Sequence, residues 1–272
     1  MSTQREKAER FQELHHGYNP LLLPNPWDQG TAKVFAALGF LALATTSSGC
    51  AATLGRLDGS VTRDEALAHI ASIVEATSLP VSADLENGFA DEPADVAANV
   101  ALVAGAGLAG CSVEDYTGRP DNSIYPLELA AARVAAAADA AHAGPARLVL
   151  TARAENYLHR RRDLADTIAR LQSFQAAGAD VLYAPGLTDI DDIRTVVESV
   201  DLPVNVLAFP GGPSVPELTA VGVKRVSVGG AFNLVALGAV VNAAREFLHQ
   251  GTFGWWDLAG TGLEVAHTAF TA

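Results

Sequence analysis

Cysteine is scarce in this sequence, and the few cysteines present form no motif. The 272 residues contain two, Cys50 and Cys111, and neither belongs to a C-x-x-C pair. A disulfide framework and a cysteine-based zinc site are therefore excluded, because both need several cysteines at short spacing. Each cysteine lies in or beside a predicted strand, where we expect a small buried side chain in a reducing cytosol.

Segments that would carry the chain into or across a membrane are also missing. Residues 1–10 are polar and mixed in charge, unlike a signal peptide. No apolar run approaches the roughly 18 residues that are needed to span a bilayer. We therefore expect a soluble, cytoplasmic protein with no membrane partner.

Basic residues are too few for a nucleic-acid surface. Lys and Arg number 18 against 31 Asp and Glu, which gives a formal net charge of −13 at pH 7. Binding to phosphate backbones needs clustered Lys and Arg. The short cluster Arg160–Arg162 is expected to be the solvated start of a helix. Nucleic acid is therefore excluded as a partner, and some of the acidity is available for a metal site.

Motifs of several other enzyme classes are absent. The seven histidines fall in predicted helices, loops or termini, which disfavours a histidine zinc site. There is no G-x-S-x-G elbow, which disfavours a Ser-His-Asp hydrolase. The turn after the first predicted strand, Pro24–Asp28, has no G-x-G-x-x-G motif for a dinucleotide.

Eight apolar, β-rich runs are present, and they recur about every thirty residues, the length of a strand, a helix and two short loops. Helix signals fill the gaps, such as the capping box Thr62–Glu65. Eight strand–helix units predict an α/β fold, a single-domain (β/α)8 TIM barrel over residues 1–272, with a doubly wound open sheet as the alternative. The predicted strands are Leu21–Pro24, Leu41–Ala44, Pro80–Asp84, Ala109–Glu114, Arg147–Ala152, Asp180–Ala184, Pro203–Ala208 and Lys224–Val228.

Acidic and polar residues occur at the carboxyl ends of these strands, where barrels build their active sites. Asp84 and Glu86 belong to the third strand end and Glu114 to the fourth, so we expect these carboxylates to converge on a hard divalent cation. Arg153 after the fifth strand is a candidate for binding a carboxylate or phosphate, or for pairing with Glu114 or Glu155. The other strand-end candidates are Asn25, Asp28, Thr46–Gly49, Asp115, Asn156, Asn205, Ser227, Gly229 and Gly230.

Several of these stretches resemble motifs of one enzyme family. Ser82–Phe89 is similar to its D-x-[DE]-x-G-[YF] stretch, Val113–Asp115 to its next strand end, and Thr151–Glu155 to its A-R-x-E segment. Thr46–Gly49 and Leu54–Asp58 are similar to its second-strand turn and mobile gating loop. In this order and spacing, over nearly the whole chain, the motifs resemble the isocitrate lyase/phosphoenolpyruvate mutase superfamily.

The resemblance implies Mg²⁺, with Mn²⁺ as an alternative, near Asp84, Glu86 and Glu114 and partly bound through water. It implies a small 2-oxo or dicarboxylic acid as substrate. It also implies a homo-oligomer, a dimer or a tetramer, in which the C-terminal segment 249–272 packs on a neighbouring subunit by helix exchange. The implied catalytic residues are Asp58, Arg153, Ser47 and Ser48. The implied substrate-binding residues are Thr46, Ser47, Ser48, Arg153, Asn205 and Gly229.

The gating loop departs from the lyases that cleave isocitrate and methylisocitrate. Those enzymes carry a K-K-C-G-H segment with a catalytic cysteine, whereas Leu54–Ser60 contains no cysteine, lysine or histidine. Asp58 instead matches the loop acid of the mutase and hydrolase branch. The end of the sixth strand, Tyr183–Gly186, lacks the histidine expected of a member that acts on phosphonopyruvate.

These features predict a Mg²⁺-dependent lyase that cleaves or decarboxylates a small, oxaloacetate-like 2-oxo or 2-hydroxy dicarboxylic acid through an enolate. Two alternatives stay open. One is a C–P mutase or hydrolase acting on a phosphoenolpyruvate- or phosphonopyruvate-type substrate, with Gly229–Gly230 as a phosphate cradle rather than a tight turn. The other is a non-catalytic 2-oxo-acid binding protein.

Overall fold

The eight apolar runs form eight parallel strands. The structure is a computed structural model that describes residues 2–119, 121 and 123–271. Within these residues the strands alternate with helices along the chain. The strands are β1 Leu21–Leu23, β2 Leu43–Ala44, β3 Val81–Asp84, β4 Gly110–Glu114, β5 Val149–Arg153, β6 Val181–Tyr183, β7 Val204–Leu207 and β8 Arg225–Ser227. The helices are α1 Gln4–Leu14, α2 Gln29–Ala37, α3 Ser47–Thr53, α4 Arg63–Glu75, α5 Pro93–Ala104, α6 Leu127–His142, α7 Leu164–Ala176, α8 Ile190–Glu198, α9 Val215–Ala220, α10 Ala231–Gln250 and α11 Trp256–Thr271.

Each predicted run coincides with one of these strands; seven strands lie within their runs, and β5 extends one residue beyond its run, to Arg153. Pro24, Pro80 and Pro203 lie just outside β1, β3 and β7. Proline has no backbone N–H to donate to a neighbouring strand, so it falls at strand ends. The predicted capping box opens α4, since the Thr62 hydroxyl accepts from the Glu65 N–H and the Glu65 carboxylate accepts from the Thr62 N–H.

The strands close into a barrel. Their order is β1-β8-β7-β6-β5-β4-β3-β2, so the seam lies between β1 and β2. Two hydrogen bonds cross it: the Ala44 N–H donates to the Pro24 carbonyl at 3.1 Å, and Asn25 Nδ2 donates to the Thr45 carbonyl at 3.0 Å. The predicted (β/α)8 barrel is confirmed. The exchange of C-terminal helices between subunits stays a prediction.

The apolar core lies between the strands and the helices, whereas the inside of the barrel is polar. Cys111 and Leu150 point outward into the core, and both predicted buried cysteines are buried. The alternating residues Ser82, Ser112 and Thr151 of β3, β4 and β5 are buried on the other face, towards the barrel axis. Barrel interiors are usually filled by Val, Ile and Leu. The polar interior here leaves room for a ligand.

Helix α1 covers the amino end of the barrel. Its Phe11 side chain is fully buried in a cluster that includes Leu23 and Val149. Gly110 of β4 makes this contact possible, because a Cβ there would lie 2.9 Å from the Phe11 ring and 2.6 Å from the Val149 carbonyl oxygen. With this end closed, the barrel interior opens towards the carboxyl ends of the strands.

Helices α10 and α11 leave a large apolar surface exposed. Exposed side chains of α10 include Val235, which is 69% exposed, and Leu248, which is 76% exposed. By length and composition alone, α10 is apolar enough to cross a membrane, although a single helix of this kind is weak evidence for a membrane span. Polar residues such as Asn242 interrupt its apolar sequence, so the helix contains no continuous apolar run of the length expected of a span. Helix α11 packs against α2 of the same chain, with the Phe270 ring beside Gly30.

The contact at Gly110 gives a test of the packing beneath the barrel. Gly110→Ala should destabilise the protein by about 1–3 kcal/mol, the range for overpacking a filled core. The matched control is Gly238→Ala on α10, where no described atom lies within 4 Å of the added Cβ. This control should stabilise by up to about 1 kcal/mol, since alanine favours helix. Urea unfolding followed by circular dichroism measures both, and equal free energies of unfolding would contradict the close contact.

Candidate active site

A cavity of about 180 Å³ opens at the carboxyl ends of the strands. Glu86 lies next to the cavity because its N–H donates to Asp84, and Glu114 lies next to it because it pairs with Arg153. Asn205 is not among the described residues that line the cavity. The predicted site residues that line the cavity together are Thr46, Ser47, Ser48, Asp58, Asp84, Arg153 and Gly229.

Arg153, the last residue of β5, lies between three carboxylates. Its Nη1 is 3.0 Å from Asp84 Oδ1, its Nη2 is 3.0 Å from Glu114 Oε2, and its Nε donates to Glu155 Oε1 at 2.8 Å. The ion pairs considered from the sequence with Glu114 and Glu155 are therefore present. These contacts engage three of the five N–H groups of the guanidinium. Arg153 thus compensates acids that would otherwise repel one another.

Asp84, the last residue of β3, connects these acids to the start of α3. Its Oδ2 accepts from the Ser47 N–H at 3.1 Å, and its Oδ1 accepts from the Glu86 N–H at 3.2 Å. Its own N–H donates to the Thr45 hydroxyl at 2.9 Å. The carboxylate is therefore held in one orientation by neighbours on three segments of the chain.

Glu86 and Glu114 are both held with raised pKa values. Burial, and then the charges of Asp84 and Asp58, raise the pKa of Glu86 to about 7. Burial also raises the pKa of Glu114, against the lowering effect of Arg153. Glu86 has a φ of 48°, in the left-handed region that costs energy for a residue with a side chain and that recurs at functional sites. A bound cation would favour the ionised form of both acids.

The donor set suits a hard divalent cation that is held partly through water. Carboxylate oxygens are preferred by Mg²⁺ and Mn²⁺, and Mg²⁺ usually keeps several waters while it binds one or two carboxylates. Across the described part of the chain, no three His, Cys, Asp or Glu side chains are grouped closely enough to enclose an ion directly. Asp84, Glu86 and Glu114 therefore fit a cation that contacts some of them through water.

Ser47 and Ser48 begin α3, so the predicted polar turn is the first turn of a helix. Thr46 caps it by accepting from the Gly49 N–H at 3.3 Å. A Cβ on Gly49 would lie 2.6 Å from the Thr46 methyl group, and a Cβ on Gly230 would lie 2.7 Å from Ser48 Oγ. Glycine at position 230 lets the start of α3 approach the turn after β8, and glycine at position 49 lets the helix pack against its own cap and Trp27. Backbone N–H groups at a helix start favour negative charge.

The loop between α3 and α4 brings Asp58 to the cavity. Arg56 fixes the loop to α4 through hydrogen bonds to Glu65 at 3.0 and 2.9 Å. The Asp58 carboxylate accepts from the Gly59 N–H at 3.1 Å and interacts with the Ser47 side chain. Partial burial of the carboxyl group raises the pKa of Asp58. The loop therefore places an ionisable group beside the first turn of α3.

Two of the predicted substrate contacts have partners inside the protein. The Gly229 N–H donates to Asn25 Oδ1 at 2.9 Å, and the Val228 N–H donates to the same oxygen at 3.1 Å. Asn205 is 1% exposed, and its Nδ2 donates to Ser227 Oγ at 2.9 Å. The Gly229 segment is thus held as a tight turn by Asn25. The substrate roles of Gly229 and Asn205 stay predictions.

Sequence reasoning missed Tyr183 and Arg225, which line the cavity from β6 and β8. Tyr183 lies in an apolar run and resembled a core residue; the Arg153 guanidinium lies 5.4 Å from its ring centroid. Arg225 carried a usable signal, because a charged side chain inside a strand that is buried on both faces needs a partner or a function.

Known proteins share this fold and this sequence pattern. The sequence model of the family described as phosphoenolpyruvate phosphomutase matches residues 11–248. A solved structure of a provisionally assigned lyase/mutase from Burkholderia cenocepacia J2315 is 52% identical in sequence, with a TM-score of 0.95 over 99% of this chain and 97% of that chain.

Two curated enzymes are more distant relatives. The 2-methylisocitrate lyase of Escherichia coli (strain K12) is 31% identical over 205 residues, which are 72% of this chain and 68% of the relative. Oxaloacetate decarboxylase 2 of Pseudomonas fluorescens (strain Pf0-1) is 28% identical over 253 residues, which are 90% of this chain and 84% of the relative. With the family match spanning most of the barrel, the chain belongs to the phosphoenolpyruvate phosphomutase family, within the isocitrate lyase/phosphoenolpyruvate mutase superfamily.

Proposed function

We propose that the protein is a Mg²⁺-dependent lyase, with Mn²⁺ as an alternative ion, that cleaves or decarboxylates a small 2-oxo or 2-hydroxy dicarboxylic acid. The observation that carries the proposal is one cavity whose wall carries Asp84 and Arg153 beside the first turn of α3, with Glu114 paired to Arg153 next to it. Such a cavity offers both a cation-binding side and an anion-binding side to a chelating acid. The relatedness to 2-methylisocitrate lyase and oxaloacetate decarboxylase supports a lyase.

In a 2-oxo dicarboxylic acid the reaction breaks the bond between the carbon beside the keto group and the distal carboxylate. The electron pair of that bond moves into the keto group to form an enolate, and CO₂ departs. In a 2-hydroxy dicarboxylic acid the hydroxyl group loses its proton to a carboxylate of the cavity, the bond from the hydroxyl-bearing carbon to its neighbour breaks, a 2-oxo acid departs, and the electron pair moves into the carboxylate on the neighbouring carbon to form an enolate. When bound, the cation supplies Lewis-acid polarisation of the keto oxygen. The backbone N–H of Ser48, and that of Ser47 once it turns from Asp84 Oδ2 to the substrate, stabilise the oxyanion where it develops, which is usually the largest catalytic contribution.

Arg153 and Asp58 have separate tasks in this scheme. Arg153 binds a substrate carboxylate with the two N–H groups that the three acids leave over, and its fork geometry fixes the orientation of that carboxylate. Asp58 gives a proton to the enolate carbon, a task that suits an acid with a raised pKa. The loop from Leu54 to Ser60 covers the cavity and excludes water during the reaction.

The same loop disfavours the mechanism of the lyases that cleave isocitrate and methylisocitrate, in which a loop cysteine is the catalytic residue. Residues 54–60 contain no cysteine. Cys50 on α3 is the nearest cysteine in sequence, and it is buried; burial raises the pKa of its thiol to about 11. A thiol with that pKa carries little thiolate at neutral pH, and it lies in a packed apolar cluster. This favours decarboxylation or retro-aldol cleavage that uses Asp58.

The second candidate is a C–P mutase or hydrolase acting on a phosphoenolpyruvate- or phosphonopyruvate-type substrate, which the family match itself favours. Turnover of a panel with Mg²⁺ separates the candidates: oxaloacetate, 2-methylisocitrate, dimethylmalate, phosphonopyruvate and phosphoenolpyruvate. Pyruvate or another 2-oxo acid released from a dicarboxylate supports the lyase. Release or migration of phosphorus overturns it in favour of the second candidate, and tight binding without turnover overturns it in favour of a non-catalytic binding protein.

Asp84→Asn tests the cation site while it keeps the size of the side chain. We expect Mg²⁺ affinity, measured by isothermal titration calorimetry, to fall by about 10- to 100-fold, because a ligand charge is lost. Asp139→Asn on the exposed face of α6 is the control. Undiminished affinity in Asp84→Asn would remove Asp84 from the cation site.

The Mg²⁺ affinity of the wild type should rise from pH 6 to pH 8, since Glu86, whose pKa is about 7, must lose its proton to bind a cation.

Asp58→Asn tests the proton step. The amide keeps the size of the side chain and removes its proton, so kcat on the best substrate should fall by roughly 10²–10⁴ with KM little changed. Asp64→Asn, an exposed acid of the neighbouring helix α4 with a 79% exposed side chain, is the matched control and should keep full activity. Full activity in Asp58→Asn would leave the loop as a cover only.

We also propose a soluble, cytoplasmic homo-oligomer, a dimer or tetramer, with no membrane or nucleic-acid partner. The exposed apolar face of α10 supports an interface between copies. Val235→Glu with Leu248→Glu should therefore shift the protein towards monomer in sedimentation equilibrium. Leu102→Glu on α5, which is 54% exposed, is the control. A wild type that is monomeric at micromolar concentration contradicts the proposal.

A further inference from the structure

Arg225 is a buried cation inside the barrel. It is the first residue of β8, it is 4% exposed, and it lines the cavity. Its Nη1 donates to the Thr151 hydroxyl at 3.0 Å and lies 3.4 Å from His15 Nε2. Its Nε is buried and has no hydrogen-bond partner among the described residues. The guanidinium is therefore only partly satisfied by the protein.

The groups around Arg225 carry no compensating negative charge. His15 is neutral, because burial and then the charge of Arg225 lower its pKa to about 3. Its Nδ1 contacts the Phe11 carbonyl at 2.7 Å, so Nδ1 carries the proton and Nε2 accepts from Arg225. Tyr183 is neutral as well, since burial raises its pKa to about 12. Arg153 repels Arg225; burial and this repulsion lower the pKa of Arg225 to about 10, at which it is still cationic near neutral pH.

Two other deeply buried arginines of the described chain have more partners than Arg225. Arg170 pairs with Asp115 at 3.0 Å and with Asp166 at 2.8 Å. The Nε of Arg133 also has no partner among the described residues, but its two other nitrogens donate to three backbone carbonyls, those of Asn87, Ala90 and Asp91. Arg225 has one hydroxyl and one neutral imidazole. A buried charge without a counter-charge is strongly unfavourable, so an anion that enters the cavity gains from meeting it.

We propose that Arg225 binds the distal carboxylate of the substrate at the bottom of the cavity. The proposal rests on the proposed function, because it takes the cavity to be the site of a dicarboxylic acid. The carboxylate next to the reacting carbonyl stays with Arg153 and the cation, at the carboxyl ends of the strands. Arg225 then selects acids with two carboxylates over acids with one. Thr151 is the positioning residue that orients the guanidinium.

L-malate and L-lactate test this selection, because both are 2-hydroxy acids and they differ in the distal carboxylate. Calorimetry with Mg²⁺ compares wild type, Arg225→Met and Lys224→Met, the last as a control that removes the neighbouring charge outside the cavity. We expect Arg225→Met to lose about 10- to 100-fold in affinity for malate, as for loss of hydrogen bonds to a charged group, and to keep its affinity for lactate. An unchanged malate-to-lactate ratio overturns the proposal.

A second measurement does not depend on the reaction. Thermal unfolding is followed with sodium malonate and with sodium chloride at equal ionic strength. Malonate should raise the Tm of wild type and Lys224→Met beyond the effect of chloride, but not that of Arg225→Met. Without ligand, Arg225→Met should unfold at or above the wild-type Tm, since it removes an uncompensated charge. If Arg225→Met fails to fold, Arg225→Lys replaces it. This variant keeps the positive charge but loses the planar guanidinium that grips both carboxylate oxygens, so it should lose part of the preference for malate over lactate.

The outcomes separate the two proposals. Stabilisation by malonate through Arg225, with no turnover or binding of 2-oxo and 2-hydroxy acids, keeps the anion site and overturns the lyase. Turnover of a dicarboxylate that is unaffected in KM by Arg225→Met overturns the Arg225 site and keeps the lyase. Equal malonate stabilisation of wild type and Arg225→Met also overturns the Arg225 site.

Discussion

Arg153 holds three acids together at one end of the barrel, and the geometry of the cavity depends on it. Asp84, Glu114 and Glu155 come from β3, β4 and the turn after β5, and each lies within 3.0 Å of a different guanidinium nitrogen. Without the Arg153 guanidinium between them, buried carboxylates this close would repel one another and take up protons. Removing one partner from such a buried group typically costs about 3–5 kcal/mol. The same contacts therefore hold two strand ends and the turn after β5 together beside the cavity.

Opposite charges continue outward from this centre into the helical layer. The Glu155 N–H donates to Asp115 Oδ1 at 2.8 Å, and Asp115 pairs with Arg170 of α7 at 3.0 Å. Each of these charges, from Asp84 to Arg170, thus has an opposite neighbour, which makes so polar a barrel end compatible with a stable fold. On the far side of the cavity, Asn25 connects two segments through neutral groups. Its Nδ2 donates to the carbonyl of Thr45, just after β2, and its Oδ1 accepts from two N–H groups in the turn after β8.

Much of this could be predicted from the sequence, because it depends on local pattern and on one property of parallel sheets. Apolar runs spaced about thirty residues apart predicted the eight strands, although Pro80, which the predicted third run includes, lies just outside β3. The capping box at Thr62 marked the start of α4. Parallel strands in a barrel bring their carboxyl ends to one face, so Asp84 and Glu114 had to be neighbours wherever their helices ran. The family resemblance rested on the same positions, and the family match agrees with it.

The sequence by itself thus determined the fold class, the end of the barrel that carries the site and the acids that meet there. The tertiary structure alone decided which groups those acids contact, that Asn205 is paired with Ser227, and that Arg225 reaches the cavity without a counter-charge. It also decided that α10 keeps an exposed apolar face. The physical reason is that these outcomes depend on contacts between side chains far apart in the chain: Arg153 and Asp84 are 69 residues apart, and Arg225 and Thr151 are 74. The periodicity of the sequence determines which face of a strand or helix a residue occupies, but only the packed barrel determines the distance between two side chains on different strands.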